Sequence, residues 1–373
     1  MDSGFDFLKA HNHHIQGVPA VDPVDLTDPV LSRETIFPGD PTASTLELTP
    51  DSPGSESFQA IAERALINGL ERYQANAFET ALEFFKEAYA IYLQLQDCHG
   101  QSRVLAHLGL TFYSLKHYSK AIEYSQAALV FANQVQDRRN AVKILSTLGN
   151  AYRHLKEADR AIEYQLQSLT LAKEVGDRHG EMAALNNLGL AYKAVGEYEQ
   201  AIIYEEQSLK IAHELSDRQV EEQILKNLGN ACYALGNYAR AIAYYEQRLT
   251  LARELNDFRM EAQILRNLGN AYYALNDYQR SIECSEQRLQ VSRKLRDLRG
   301  EEQALGSLGI ACDALGDYVK AIAYHEQRLA IAQSLEDHRV QEQVLGSLKV
   351  AYYAVGDYIK AAECANQRQE MKG

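Results

Sequence analysis

The side chains best suited to chemistry are amides and cations at a fixed spacing. Lys226, Asn227, Asn230 and Tyr233 are answered forty residues later by Arg266, Asn267, Asn270 and Tyr273. Upstream, Asn186, Asn187 and Lys193, and before them Asn150 and Arg153, fall in the same registers. Their chemistry is recognition, not bond-making. A primary amide offers one acceptor and two donors, enough to pair with the N–H and C=O of an extended peptide. Lys and Arg among the amides add charge-assisted bonds to carboxylates, roughly 1.5–3 kcal/mol each when well formed. Tyr233 and Tyr273 add flat contact area with few rotatable bonds.

Signals for catalysis are absent from the chain. It has no Gly-rich phosphate loop, no His-Glu-x-x-His and no Gly-x-Ser-x-Gly. Glu205, Glu206, His213 and His325 recur on helix faces and not in a water-excluding cleft. His11, His13 and His14 cluster, but nothing nearby completes a four-ligand site, so neither metal nor cofactor is expected. The five cysteines (Cys98, Cys232, Cys284, Cys312, Cys364) are odd in number, contain no Cys-x-x-Cys pair, and read as buried thiols in a reducing cytoplasm. A net charge of −13 argues against general nucleic-acid binding. No apolar run is long enough to span a membrane, and the N-terminus does not read as a signal peptide.

What positions the polar lane is a repeat. Gly69, Gly109, Gly149, Gly189, Gly229, Gly269 and Gly309 lie 40 residues apart, and the next turn of the series is Lys349. Asp97, Asp137, Asp177, Asp217, Asp257, Asp297 and Asp337 keep the same period. A fixed period of this length is the mark of a repeat array, so residues 57–373 are expected to form one elongated all-α body of eight units. In residues 217–256, Asp217 is placed to cap a first helix. Ile224, Leu225, Leu228 and Cys232 share one helix face, and Gly236 suits the left-handed residue that ends that helix. Asn237 caps a second helix, whose apolar stripe is Tyr238, Ala241, Ile242, Tyr245, Leu249 and Ala252. The spacing predicts about 17 residues per helix. Gly229 is expected to allow close approach to the small residue Ala241.

The ends of the chain differ from its middle. All seven prolines lie within residues 1–56, with ten acidic residues against Lys9 and Arg33. Such a tract reads as a disordered acidic tail. Phe5, Leu8 and Ile15 also fit a short docking helix. At the far end Gln369 and Lys372 replace apolar positions, as in a capping repeat, so the array is expected to finish there. Ala361, Cys364 and Ala365 leave room for a weak homotypic contact.

The motif Asn227-Leu228-Gly229-Asn230, repeated at Asn267-Leu268-Gly269-Asn270, resembles the tetratricopeptide repeat, in particular the long-repeat class of Pins-type adaptors and bacterial arrays. It departs from the shorter consensus in its 40-residue period, in Leu where the consensus has Trp (Leu185, Leu225, Leu265), and in lacking the terminal Pro. The resemblance implies a right-handed α-solenoid whose first helices line a concave groove. It also implies that Asn187, Asn227, Asn230, Asn267, Asn270 and Arg266 contact acidic partner peptides.

Together these readings give a non-catalytic adaptor that holds an extended or acidic segment of another protein in repeats three to six. The acidic tail is a candidate occupant of the same groove, which would make the protein self-regulating. The seventh copy has Gly306, Ser307, Ile310 and Asp313 at the corresponding places, so the lane is expected to stop there. Two other readings fit the lane itself: a solvated face, or amides bonded within the array. A different use of the fold, as a subunit or assembly factor of a larger complex, would work through the convex face, the edges or the tail. Its contacts would be the ridges Gln247-Arg248-Leu249, Gln287-Arg288-Leu289 and Gln327-Arg328-Leu329.

Overall fold

The computed structural model describes residues 57–371. The expectations placed on residues 1–56 and on Lys372 lie outside them. The described residues form sixteen helices and no strand. The chain divides into two compact units, Met1–Leu105 and Ala106–Gly373.

In the first unit α1 (Phe58–Gln74) and α2 (Phe78–Gln94) form a hairpin. Ser57 caps α1, accepting from the Ala60 N–H at 3.3 Å. The hairpin buries Ala62, Leu66, Ala81 and Phe85. Asn68 and Arg72, which stand where later copies are apolar, are half-buried and exposed. Arg103 forks onto Glu63 with two bonds of 3.0 Å, and the Tyr92 hydroxyl donates to the same carboxylate at 2.8 Å.

The helix α3 (Cys98–Ser114) spans the division between the units. In the second unit α4 (Tyr118–Gln134) is followed by five hairpins. They are α5 and α6 (Arg138–His154, Ala158–Glu174), α7 and α8 (Arg178–Ala194, Tyr198–Leu215), α9 and α10 (Arg218–Ala234, Tyr238–Glu254), α11 and α12 (Phe258–Ala274, Tyr278–Leu295), and α13 and α14 (Leu298–Leu315, Tyr318–Ser334). A last hairpin, α15 and α16, covers His338–Ala354 and Tyr358–Glu370. This is an all-α solenoid of tetratricopeptide-like hairpins.

The local signals act as the residues suggest. The Asp217 carboxylate accepts from the Val220 N–H at 3.1 Å, and Asn237 accepts from the Arg240 N–H at 3.3 Å. Between these caps Gly236 sits at φ +75°. The chain reverses there by donating the Asn237 N–H to the Cys232 carbonyl at 2.9 Å. The same left-handed turn falls on Lys156, Arg296 and Glu336, which no sequence signal marked.

The glycine series is where the packing departs from expectation. A Cβ on Gly229 would run into the ring of Tyr245, not into Ala241. Sixteen residues after each glycine stands the side chain that covers it: Ser125, Gln165, Glu205, Tyr245, Ser285 and His325 in the second unit, and Phe85 in the first. The small residues Ala121 and Ser281 contribute only a carbonyl oxygen, near Gly109 and Gly269. The contact therefore lies one turn further along the second helix than the small-against-small pairing implies.

The glycines are thus not equivalent. Gly269 has nothing closer than the Ser285 hydroxyl, 3.4 Å from an added Cβ. Gly229→Ala is expected to destabilise the protein by about 1–3 kcal/mol through overpacking. Gly269→Ala is expected to be neutral or to stabilise by up to about 1 kcal/mol, the helix-propensity gain over Gly. Thermal unfolding followed by circular dichroism ranks the two.

Candidate functional site

The first helices of neighbouring repeats pack side by side, α5 with α7, α7 with α9, and α11 with α13. Their remaining stripes make up the first-helix face, and the polar residues singled out in the sequence lie on it.

The structure divides those residues into two groups. One group is hydrogen-bonded within the array. Asn187 Nδ2 donates to Ser146 Oγ at 3.1 Å, and Asn227 Nδ2 donates to Asn186 Oδ1 at 3.3 Å. Gln223 Nε2 closes on Asn227 Oδ1 at 3.2 Å, and Asn227 is only 4% exposed. The Tyr245 hydroxyl donates to Asn230 Oδ1 at 2.9 Å. The Asn187 and Asn227 bonds link adjacent repeats, whereas Asn230 is held within its own hairpin; a buried amide left unpaired is costly. The other group is open. Arg266 and Asn270 are exposed and Asn267 half-buried. None of the three bonds to another described side chain. Lys193 and Lys226, in the fourth and fifth repeats, are half-buried. At the upstream end Asn150 Oδ1 and Arg153 Nε are buried without a partner. Arg153 Nη2 approaches His154 Nε2 at 3.3 Å. Tyr233 and Tyr273, a little over a third exposed, pack edgewise or tilted on Tyr238 and Tyr278 at 5.2 Å between centroids.

The face continues past the sixth repeat. A cavity of about 220 Å³ is lined by Arg266 and Asn270, and also by Gly306, Ser307 and Ile310 of the seventh copy. The substitutions read as the end of the lane therefore extend it and change its chemistry.

Of the Gln-Arg-Leu segments expected as exposed ridges, only the glutamines are exposed. Arg248, Arg288 and Arg328 are buried, as are Leu249 and Leu289. The arginines turn inward from the second helices. Arg248 Nε donates to Glu222 and Arg328 Nε to Glu302, each at 2.7 Å. The glutamines stay outside, where Gln287 accepts from Arg253 at 2.8 Å. Ala361 and Cys364, expected to offer apolar surface at the end of the array, are buried as well. Val350, Tyr353, Tyr358 and Ile359 are exposed there instead.

Sequence reasoning missed the buried polar groups over the glycines. Glu205 is fully buried against Gly189, and neither carboxylate oxygen has a partner. Burial pushes its carboxyl up to about 8, opposed by the nearby Lys193 charge. Burial likewise pushes the thiols of Cys232, Cys284 and Cys312 up to about 11, so they are poor nucleophiles at neutral pH. Among the described residues no group of His, Cys, Asp or Glu is arranged to hold a metal, and no helix is long and apolar enough to cross a membrane.

A face of paired and unpaired amides on stacked helical hairpins defines the class: a repeat array of protein-interaction type. The family model for the tetratricopeptide repeat matches residues 140–214, 220–294 and 260–334, together just over half of the chain. The chain belongs to the tetratricopeptide repeat family.

Three solved structures share the fold. A signal transduction ATPase with numerous domains from Pyrococcus horikoshii, carrying a tetratricopeptide repeat sensor, superposes with a TM-score of 0.56 at 16% identity, over 86% of this chain and 54% of that one. The apo form of RapI gives 0.53 at 16% identity, over 74% and 98% of the two chains. The apo form of the quorum sensor NprR from B. thuringiensis gives 0.53 at 14% identity, over 86% and 90%. At these identities the likeness is one of fold. A search of curated proteins finds no match.

The Glu205 carboxyl sets a pH dependence. Its folded value of about 8 exceeds the ordinary 4.5, so the folded state keeps a proton that the unfolded state releases. That contribution is complete at low pH and drains as pH rises through the interval between the two values. Glu205→Gln has a precedent in the repeat before it, where Gln165 Nε2 donates to the Ser146 carbonyl at 3.0 Å. Between about pH 5 and 8 the wild type is expected to lose about 1.4 kcal/mol per pH unit relative to Glu205→Gln. Denaturant unfolding at several pH values measures the difference, and parallel curves would contradict it.

Proposed function

We propose that this chain is a non-catalytic cytoplasmic adaptor that holds an extended or acidic segment of a partner protein on the first-helix face of repeats three to six. Residues 57–373 act as the binding body in this reading. The observation that carries it is the division within the lane. Asn186, Asn187, Asn227 and Asn230 are bonded inside the array, whereas Arg266, Asn267 and Asn270 bond to no other described side chain. The Asn187–Ser146 and Asn227–Asn186 bonds hold neighbouring first helices in register, and such pre-organisation lowers the ordering cost of binding. Arg266, Lys226 and Lys193 suit a segment carrying carboxylates. Residues 1–56, at a net charge of −8, are complementary to that face, and in this proposal the tail competes with the partner.

A second reading, a subunit joined to a larger assembly, has support of its own. Val350, Tyr353, Tyr358 and Ile359 are each more than 60% exposed. Single exposed apolar residues are ordinary, but four on one terminal hairpin suit a contact with a neighbour.

The test compares partners co-purified with the full chain, with Arg266→Ala/Asn267→Ala/Asn270→Ala, and with Val350→Asp/Ile359→Asp, all shown to be equally helical. Loss of a partner from the triple variant alone is the expected result. Loss from the Val350/Ile359 variant alone would transfer the function to the end of the array. Deleting residues 1–56 is expected to raise partner affinity, and unchanged affinity would remove the tail from the account.

A further inference from the structure

One position in the array lacks a partner that its siblings have. The second-helix residues Arg248, Arg328 and Arg368 each turn toward a glutamate 26 residues earlier: Glu222 at 2.7 Å, Glu302 at 2.7 Å and Glu342 at 3.2 Å. In earlier copies the same link is made by a hydroxyl, with Ser168 donating to the Val142 carbonyl at 2.9 Å and Ser208 to the Met182 carbonyl at 2.8 Å. Arg288 belongs to this series, but 26 residues before it stands Ala262. Arg288 is 6% exposed and, among the described residues, forms no ion pair; its Nη2 donates to the neutral Gln303 Oε1 at 2.7 Å. A buried cation is normally paired, because its desolvation is otherwise uncompensated.

The surroundings increase the imbalance. Gly306 and Gly346 leave room for Arg328 and Arg368, but the corresponding residue in the sixth repeat is Arg266, a second cation. Burial and the Arg266 charge both lower the Arg288 pKa from its usual range, against weaker support from Asp297 and Glu302. Arg266, Arg288 and Arg328 line the cavity together with Asn270 and Ser307, and no carboxylate lines it. The carboxylate nearest in role, Glu302, is already held by Arg328.

We infer that the cavity around Arg288 and Arg266 is a receptor for a carboxylate, which takes the place that Glu222, Glu302 and Glu342 fill in the sibling repeats. Arg288 supplies the buried end of the site and Arg266 the open end, with the Asn270 amide beside them. The carboxylate comes from the bound segment, as an acidic side chain or a chain terminus. This deepens the adaptor reading and rests on it for the identity of the ligand. The site itself is a property of the free protein and is tested without a partner.

The experiment is a titration of the full chain followed by the Nε–Hε resonances of arginine, with Arg288 assigned through Arg288→Lys. N-acetylglutamate amide probes a side-chain carboxylate, N-acetylalanine a terminal one, and inorganic phosphate and chloride at matched ionic strength serve as controls. The expected result is a saturable shift of the Arg288 resonance with one or both carboxylates, the tighter one naming the source. Arg248, which does not line the cavity, should stay still, its place being filled by Glu222. Ala262→Glu should abolish the shift by supplying the carboxylate internally. The inference is overturned if Arg288 moves no more than Arg248, if chloride moves it equally, or if phosphate saturates it at lower concentration than either carboxylate. A saturable site that leaves partner capture unaffected in Ala262→Glu would uphold the receptor and remove it from the adaptor function.

Discussion

Every hairpin but the last, which has Lys349, closes on a glycine, and the side chain sixteen residues later covers it. That close approach is the constraint from which the rest follows. It brings the two helices near enough for Leu225, Leu228 and Leu249 to bury together. It also forces whatever stands at the covering position into the interior. In successive repeats that residue is Ser125, Gln165, Glu205, Tyr245, Ser285 and His325. One backbone geometry is therefore kept while the buried chemistry changes. The polar members find individual solutions: Gln165 donates to a carbonyl, Tyr245 to Asn230, and His325 Nε2 meets Asp313 at 3.0 Å. Glu205 finds none and keeps its proton.

The same economy governs the surface between repeats. Amides and arginines that read as a uniform lane divide according to whether the array itself consumes them. Where a neighbour one repeat away offers a complement, as Asn186 does for Asn227, the group becomes structural. Where it does not, as at Arg266 and Asn270, the group bonds to no other described side chain. Function in a repeat array thus lies in the exceptions to the repeat, because regular positions satisfy one another.

Much of the fold was legible because it is specified locally. Asp217 and Asn237 cap helices through their own side chains, and Gly236 reverses the chain through its own backbone, so short spacings suffice to read them. The left-handed residues Lys156, Arg296 and Glu336 were not legible. There the turn geometry is set by the hairpin and imposed on a side chain with no preference for it. The pairing of Gly229 with Tyr245 instead of Ala241 was missed because it depends on how two helices cross, which a periodic pattern leaves open. The candidate site was legible in its residue types but not in their partners. Asn227 and Asn267 occupy equivalent positions, yet only Asn227 finds an amide of the preceding repeat, Asn186, and Gln223. The Gln-Arg-Leu segments read as outward ridges because arginine is usually exposed; Glu222 and Glu302, 26 residues away, turn it inward. Aligning Ser168, Ser208, Arg248, Arg288, Arg328 and Arg368 against Val142, Met182, Glu222, Ala262, Glu302 and Glu342 would have revealed both the inward pairing and its one gap.

The central claim is that partners are held on the first-helix face. Photo-crosslinking side chains placed one at a time at Asn270, on that face, and at Gln247, exposed on a second helix, test it in the full chain within cells. The account predicts a specific protein adduct from position 270 and none from position 247. An adduct from 247 with none from 270 would contradict it.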